Sequence, residues 1–235
     1  MSAATVPRAL FEVLADARSL DLLGPMDLDD QIEHALGFAS AFEQASTDRD
    51  GGRGQAAPGS GAGRAGPRRW LDLGSGGGLP GLVLAQYWPS VPAVLLDAAE
   101  RRTSFLSDAV ASLGWEDRVQ VIRARAEDAG SSEDFRGGFD VVWARSFGSP
   151  PVTAECAAPF LEPDGLLVVS EPPSPGQTDV RWPRDGLAEL GQEPLTTVRA
   201  RFGYQVVLQS SPCPARFPRR SGVAAKRPLY RVSEA

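Results

Sequence analysis

The sequence predicts an α/β fold of the Rossmann-like kind, a mostly parallel sheet preceded by N-terminal helices. Three observations predict it. Short apolar stretches recur at 70–73, 93–96, 119–122, 139–143 and 165–169, with helical patterns between them. Strands buried on both faces and alternating with helices make a parallel sheet. The first stretch runs into Gly74-Ser-Gly76-Gly-Gly78-Leu-Pro80-Gly81, and open α/β sheets bind their ligands at such a strand-to-helix turn. The third observation is Asp97, an acid at the tip of the second apolar stretch.

The elements follow in order. Leu10, Val13, Leu14, Ala17 and Leu20 share a helical face, and Gly24-Pro25 stops that run. Asp27 is placed to cap a second helix, whose inner face carries Ile32, Ala35, Leu36, Ala39 and Phe42. These helices form an N-terminal unit over 1–45. Residues 46–69 lose all periodicity and are mostly Gly, Ala, Arg and Pro from Gly51 to Gly66, the composition of a flexible linker. Residues 70–235 then form the principal domain. Gly74, Gly76 and Gly78 let the backbone turn tightly after Trp70–Leu73, and Pro80 fits the first turn of the helix that continues through Leu82-Val83-Leu84. The second strand ends at Asp97. Phe105, Leu106, Ala109 and Leu113 give the next helix its inner face before Gly114 ends it. Leu195–Arg201 and Gln205–Gln209 bracket Phe202-Gly203-Tyr204 as a closing antiparallel pair.

At 235 residues and 42% hydrophobic composition the chain has enough apolar surface for one full core. It carries no apolar run long enough for a membrane span, and Met1–Leu20 has no signal core. Cys156 and Cys213 lack zinc or redox spacing, which predicts free thiols, no bound metal and a cytoplasmic protein; a monomer is the expectation, though nothing in the sequence fixes the oligomeric state. A net charge of −6 argues against general nucleic-acid binding. The charge is uneven, however: Arg216, Arg219, Arg220, Lys226, Arg227 and Arg231 follow one another with no acid between them. Arg219, Arg220, Lys226 and Arg227 are therefore candidate phosphate contacts. On that reading, replacing Arg219 and Arg220 with Ala would weaken RNA binding and leave cofactor affinity alone.

The glycine turn admits two cofactors. Gly76-x-Gly78-x-x-Gly81, with Asp97 about 20 residues on, fits a nicotinamide dinucleotide. Asp72, immediately before the glycines, disfavours a pyrophosphate and suits the cationic S-adenosyl-L-methionine. Asp97 has two oxygens for ribose hydroxyls, or is a strand-end acid that caps a helix. Ala126-Glu127 follows the third strand, where it frames an adenine or is a plain surface pair. Arg145, after the fourth strand, is placed to hold a phosphate or carboxylate, or a salt bridge at the sheet edge. His34 reads as a structural histidine on a helix. No side chain stands out as a catalytic base.

Together Leu71–Gly81, Leu96-Asp97 with Arg101-Arg102 and Phe105-Leu106, Arg125-Ala-Glu127, Ala144-Arg-Ser-Phe147 and Phe217–Leu229 resemble the ribosomal RNA small-subunit methyltransferase G family, also called glucose-inhibited division protein B. The resemblance covers roughly residues 26–230. It implies a class I S-adenosylmethionine-dependent methyltransferase fold with a mostly parallel seven-stranded sheet, and methylation of a guanine N7 in 16S rRNA, with the small ribosomal subunit as partner. It also implies cofactor contacts at Gly74, Leu79, Ala126, Glu127 and Arg145, and matches His34 to a family histidine. The chain departs from the family at Leu20–Asp30, which lacks its Tyr-Asn-Leu-Thr segment. It departs again at Val169-Ser170-Glu171-Pro172, where the family has Leu-Lys-Gly. Glu171 reverses a charge there, and with the acidic composition it leaves a small-molecule methyltransferase as the alternative.

Overall fold

A computed structural model describes residues 6–50, 66–173 and 181–232. Most of the expected linker lies outside the described residues. Two helices, α1 (Arg8–Ser19) and α2 (Leu28–Asp50), precede a sheet of β1 (Trp70–Leu73), β2 (Ala93–Asp97), β3 (Val119–Arg123), β4 (Phe139–Ala144), β5 (Leu161–Glu171), β6 (Gln192–Arg199) and β7 (Gly203–Gln209). Between the strands lie α3 (Gly81–Tyr87), α4 (Glu100–Ser112), α5 (Ala126–Gly130), α6 (Pro150–Ala157) and α7 (Arg184–Ala188), and α8 (Val223–Lys226) follows the sheet. The strand order is β3-β2-β1-β4-β5-β7-β6. Only β7 runs against the rest, pairing antiparallel with both β5 and β6. The order reverses between β1 and β4, so the crevice at the carboxyl ends of those strands is the topological switch point.

Period-two alternation divides each central strand between two cores. Trp70, Leu95, Val141 and Trp143 face one side, under α1 to α4. Leu71, Leu73, Val94, Val142 and Ala144 face the other, with Phe160, Trp182 and Leu187. The centre of the first layer is Trp143, stacked on Trp88 at 5.8 Å and met edge-on by Phe42, Phe38 and Trp70.

Some boundaries moved for local reasons. The first helix ends at Ser19, short of Gly24-Pro25, because Asp21 takes a left-handed φ of 55°. Leu20, expected on its inner face, is 44% exposed. The second helix continues to Asp50, past the expected break at 46. Thr47 returns its hydroxyl to the Glu43 carbonyl, and Arg49 bonds the Asp164 carbonyl across to the sheet. Tertiary contact here overrides a sequence without an apolar period. The strand at 165–169 extends to Leu161–Glu171, and β6 starts earlier than expected.

Gly37 is where α2 comes closest to the sheet. A Cβ built there would overlap the Tyr204 hydroxyl, which donates to the His34 carbonyl at 2.7 Å. Gly37→Ala is therefore expected to destabilise the protein by about 1–3 kcal/mol through overpacking, despite alanine's better helix propensity. A urea midpoint lower than the parent's is the measurement that checks it.

Candidate functional site

The turn after β1 is built by the backbone. Gly74 and Ser75 donate their N–H groups to the Leu96 carbonyl at 2.8 and 3.0 Å, so the loop bends over the end of β2. Gly74, Gly76 and Gly78 have φ of 76°, 56° and 97°, values that only glycine adopts without strain. Gly74 is doubly constrained, since a Cβ there would lie 2.7 Å from the Phe147 ring.

Asp97 clamps this turn. Its Oδ2 accepts from Gly76 N–H at 3.0 Å and its Oδ1 from Ala99 N–H at 2.8 Å, with Arg102 at 3.5 Å. It is 5% exposed and lines a cleft of about 330 Å³ with Gly74, Ala126, Glu127, Phe147, Cys156, Gly222 and Ala225. Of the residues singled out in the sequence, Gly74, Asp97, Ala126 and Glu127 come together here. Sequence reasoning missed Phe147 and Cys156. It also missed Gly222 and Ala225, which come from the far end of the chain. The signal for Phe147 was its place in Ala144-Arg-Ser-Phe147; Ser146, at φ 53°, turns it over Gly74.

Asp72, Gly76, Gly78, Leu79 and Arg145 lie off the cleft wall. Asp72 shares the parity of Trp70, and so points beneath α3. It is 1% exposed and accepts from Gly81 N–H at 2.9 Å, the first residue of that helix. Burial pushes its carboxyl up to about 7, against the opposing pull of Gly81, Ser75 and Arg145. Leu79 is buried in the first core. Arg145 points toward α2, where its Nη2 donates to Gln31 Oε1 at 3.1 Å; burial lowers its pKa and Asp72 opposes that. Gln31 in turn holds the carbonyls of Gly24 and Met26. The α1–α2 connection is thereby tied down beside the glycine turn, and a Cβ at Gly77 would meet the Leu22 carbonyl at 2.8 Å.

His34 sits under the β6–β7 turn, 4.6 Å from the Phe202 ring, with its Nδ1 buried and without a hydrogen-bond partner. Burial, helped by Arg145, pushes its imidazole down to about 4. Glu171 is turned inward as well. Its carboxylate accepts from Arg181 Nε at 2.7 Å and Trp182 Nε1 at 2.8 Å, and its side chain is 0% exposed. The charge reversal expected there is not presented to solvent. In the basic segment Arg219 pairs with the buried Glu155, whereas Arg220, Lys226 and Arg227 are exposed.

A family model described as rRNA small subunit methyltransferase G matches residues 58–171. Ribosomal RNA small subunit methyltransferase G of Prochlorococcus marinus (strain MIT 9303) is 39% identical over 170 residues, 69% of this chain and 68% of that protein. The chain belongs to the methyltransferase G family. Its counterpart from Parasynechococcus marenigrum (strain WH8102) is 37% identical over 68% of this chain and 66% of its own length, just under two thirds. Among solved structures, the O-methyltransferase TomG from Streptomyces achromogenes in complex with SAM superposes with a TM-score of 0.58 at 17% identity, over 88% of this chain and 92% of that one. An O-methyltransferase from Bacillus cereus in complex with SAH gives 0.56 at 17%, over 87% and 92%. The fold is that of class I S-adenosylmethionine-dependent methyltransferases. Membership in a methyltransferase family overturns the nicotinamide reading that the glycine spacing allowed, and with the shared fold it makes S-adenosyl-L-methionine the cofactor. The cleft suits it: its volume is that of a small-ligand pocket, Asp97 offers carboxylate oxygens, and Gly74 contributes backbone to its wall. No helix among the described residues is long and apolar enough to cross a membrane.

The two perturbed groups titrate in opposite senses. An unfolded histidine protonates near 6.5 and the buried one only near 4, so the unfolded chain binds the extra proton in that window and His34 costs stability as pH falls through it. Asp72 keeps its proton to about 7 when folded, against 3.8 unfolded, and costs stability as pH rises. His34→Gln removes the first effect alone. Urea midpoints between pH 7 and pH 4 are expected to show the parent losing stability relative to the variant as pH falls.

Proposed function

We propose that this protein methylates N7 of a guanine in 16S rRNA, with the small ribosomal subunit or its RNA as substrate. The observation that carries the reading is the position of the basic segment. Gly222 and Ala225 line the cofactor cleft, so the exposed Arg220, Lys226 and Arg227 stand at its rim, where phosphates of a bound RNA would pass. The inward turn of Glu171 supports it too, because the feature that favoured a small-molecule acceptor is occupied by Arg181 and Trp182.

Bound in the cleft, S-adenosyl-L-methionine supplies a sulfonium methyl group to a nucleophile. Guanine N7 has an in-plane lone pair and no proton to lose, so the acceptor needs position and desolvation rather than a base. The residues divide that work. Asp97 offers its remaining lone pairs to ribose hydroxyls while its bonds to Gly76 and Ala99 fix its orientation. Gly74 and Phe147 close the cleft on the β1–β4 side, and the basic rim holds the RNA. His34, kept neutral by burial, has no proton to accept in this scheme.

Purified protein, labelled S-adenosylmethionine and small subunits from a strain lacking the enzyme test this. Label is expected in 16S rRNA at a guanine that becomes cleavable after reduction and aniline treatment, as N7-methylguanine is. No incorporation, where an established family member labels the same subunits, overturns the reading. Asp97→Ala is expected to weaken S-adenosylhomocysteine binding by about 1–3 kcal/mol. It also removes two backbone contacts, so folding does not escape, contrary to what a strand-tip acid suggests, and the titration is done below the variant's unfolding transition. Calorimetry showing unaltered affinity would remove Asp97 from the ribose role.

A further inference from the structure

One wall of the cofactor cleft is made by a segment that follows the last strand in the chain, and the contacts holding it are more than a solvated segment needs. Arg136 donates from Nη1 to the Phe217 carbonyl at 2.8 Å, and from Nη2 to those of Cys213 and Pro214 at 2.9 and 3.1 Å. Glu155, on α6 and 1% exposed, accepts from the Arg219 backbone N–H at 3.1 Å and from its Nε at 2.8 Å, while its other oxygen takes Arg219 Nη2. Glu127 accepts from Gly222 N–H at 2.8 Å. Phe217 and Ala224 are buried in the core. Arg220 lies between these anchors and Lys226 and Arg227 just beyond the last of them, and all three are exposed.

Two features give this arrangement a meaning beyond packing. A buried carboxylate gripped by an arginine fork is weak evidence of net stability, but the paired bonds are geometrically specific. Here the geometry fixed is the path of 219–225. Moreover, Glu127 faces both ways: it lines the cleft and holds Gly222. A ligand in the cleft therefore contacts the segment only when the segment is docked. A ligand that distinguishes two states shifts the population toward the one it contacts.

We propose that residues 213–227 form a strap through which cofactor binding and RNA binding favour each other, with Glu155 and Arg219 as its positioning pair. The RNA half rests on the function proposed above. Cofactor in the cleft packs on Gly222 and Ala225 and favours the docked strap. The docked strap holds Arg220, Lys226 and Arg227 in one arrangement at the rim. By reciprocity, RNA that favours this arrangement raises cofactor affinity by the same factor. Arg219 thus belongs with the cofactor site rather than with the phosphate contacts, and its replacement lowers cofactor affinity, contrary to the expectation drawn from the run of basic residues.

Amide hydrogen exchange of the full-length protein, with and without S-adenosylhomocysteine, tests the strap without any variant. Slower exchange across 213–227 on binding is expected, and unchanged exchange overturns the proposal. Calorimetry on Glu155→Gln, which keeps the shape and loses the charge, is expected to show S-adenosylhomocysteine bound roughly three- to tenfold more weakly. Arg219→Lys should fall between that variant and the parent. Parent-like affinity in a folded Glu155→Gln protein also overturns it. Anisotropy of labelled 16S rRNA is expected to show RNA bound about 5- to 20-fold more tightly with saturating S-adenosylhomocysteine, and this gain should largely vanish in Glu155→Gln. RNA bound equally with and without the ligand overturns the coupling. RNA not bound by any form overturns the RNA reading as well, while the exchange result separately decides whether the strap belongs to the cofactor site.

Discussion

The turn that leaves β1 is tied down by a carboxylate at each end, and the rest of the carboxyl edge depends on it. Asp97 holds Gly76 from the neighbouring strand, and Asp72 holds Gly81 from within β1 itself. From Gly74 to Gly78 the backbone passes through three left-handed glycines, so no side chain from these positions intrudes on the crevice at the switch point. The two acids differ in consequence. Asp97 stays at the cleft with lone pairs to spare, whereas Asp72 is sealed beneath α3, where burial raises its pKa. One holds the loop and faces the cleft; the other holds the loop and the helix only.

Around this turn the chain brings together pieces from widely separated positions. Gln31 and Arg145 fasten the α1–α2 connection over one side. Phe147 covers Gly74 from β4's end, and the strap supplies the outer wall. Apart from the Phe147 ring over Gly74, these contacts are made by polar groups with specific partners. Such groups are costly when unpaired, which makes the assembled edge sensitive to the loss of any one of them.

Much of this was legible in the sequence, because it is written in local patterns. Apolar runs broken by helical periods gave the strands, and Gly74–Gly81 with Asp97 gave the place of the cleft. What escaped was set by tertiary partners. Asp72 reads as an acid at the lip, yet its parity with Trp70 already places it on the α3 side of the sheet. Glu171 reads as an exposed reversal of charge until Arg181 and Trp182 are seen to enclose it. Arg219 is indistinguishable in sequence from Arg220; only Glu155, on α6, separates them. The α2 extension to Asp50 likewise depends on Arg49 reaching Asp164.

The strand order β5-β7-β6 bears on the sequence of events during synthesis. Gln192–Arg199 is made first but pairs only with Gly203–Gln209, which inserts between it and β5. Until β7 has left the ribosome, β6 has no neighbour with which to hydrogen-bond, and β5 presents an open edge. That half of the sheet cannot grow strand by strand as β1 to β5 can. It closes only once β7 has joined β5, and the strap, which follows β7 in the chain, is made later still.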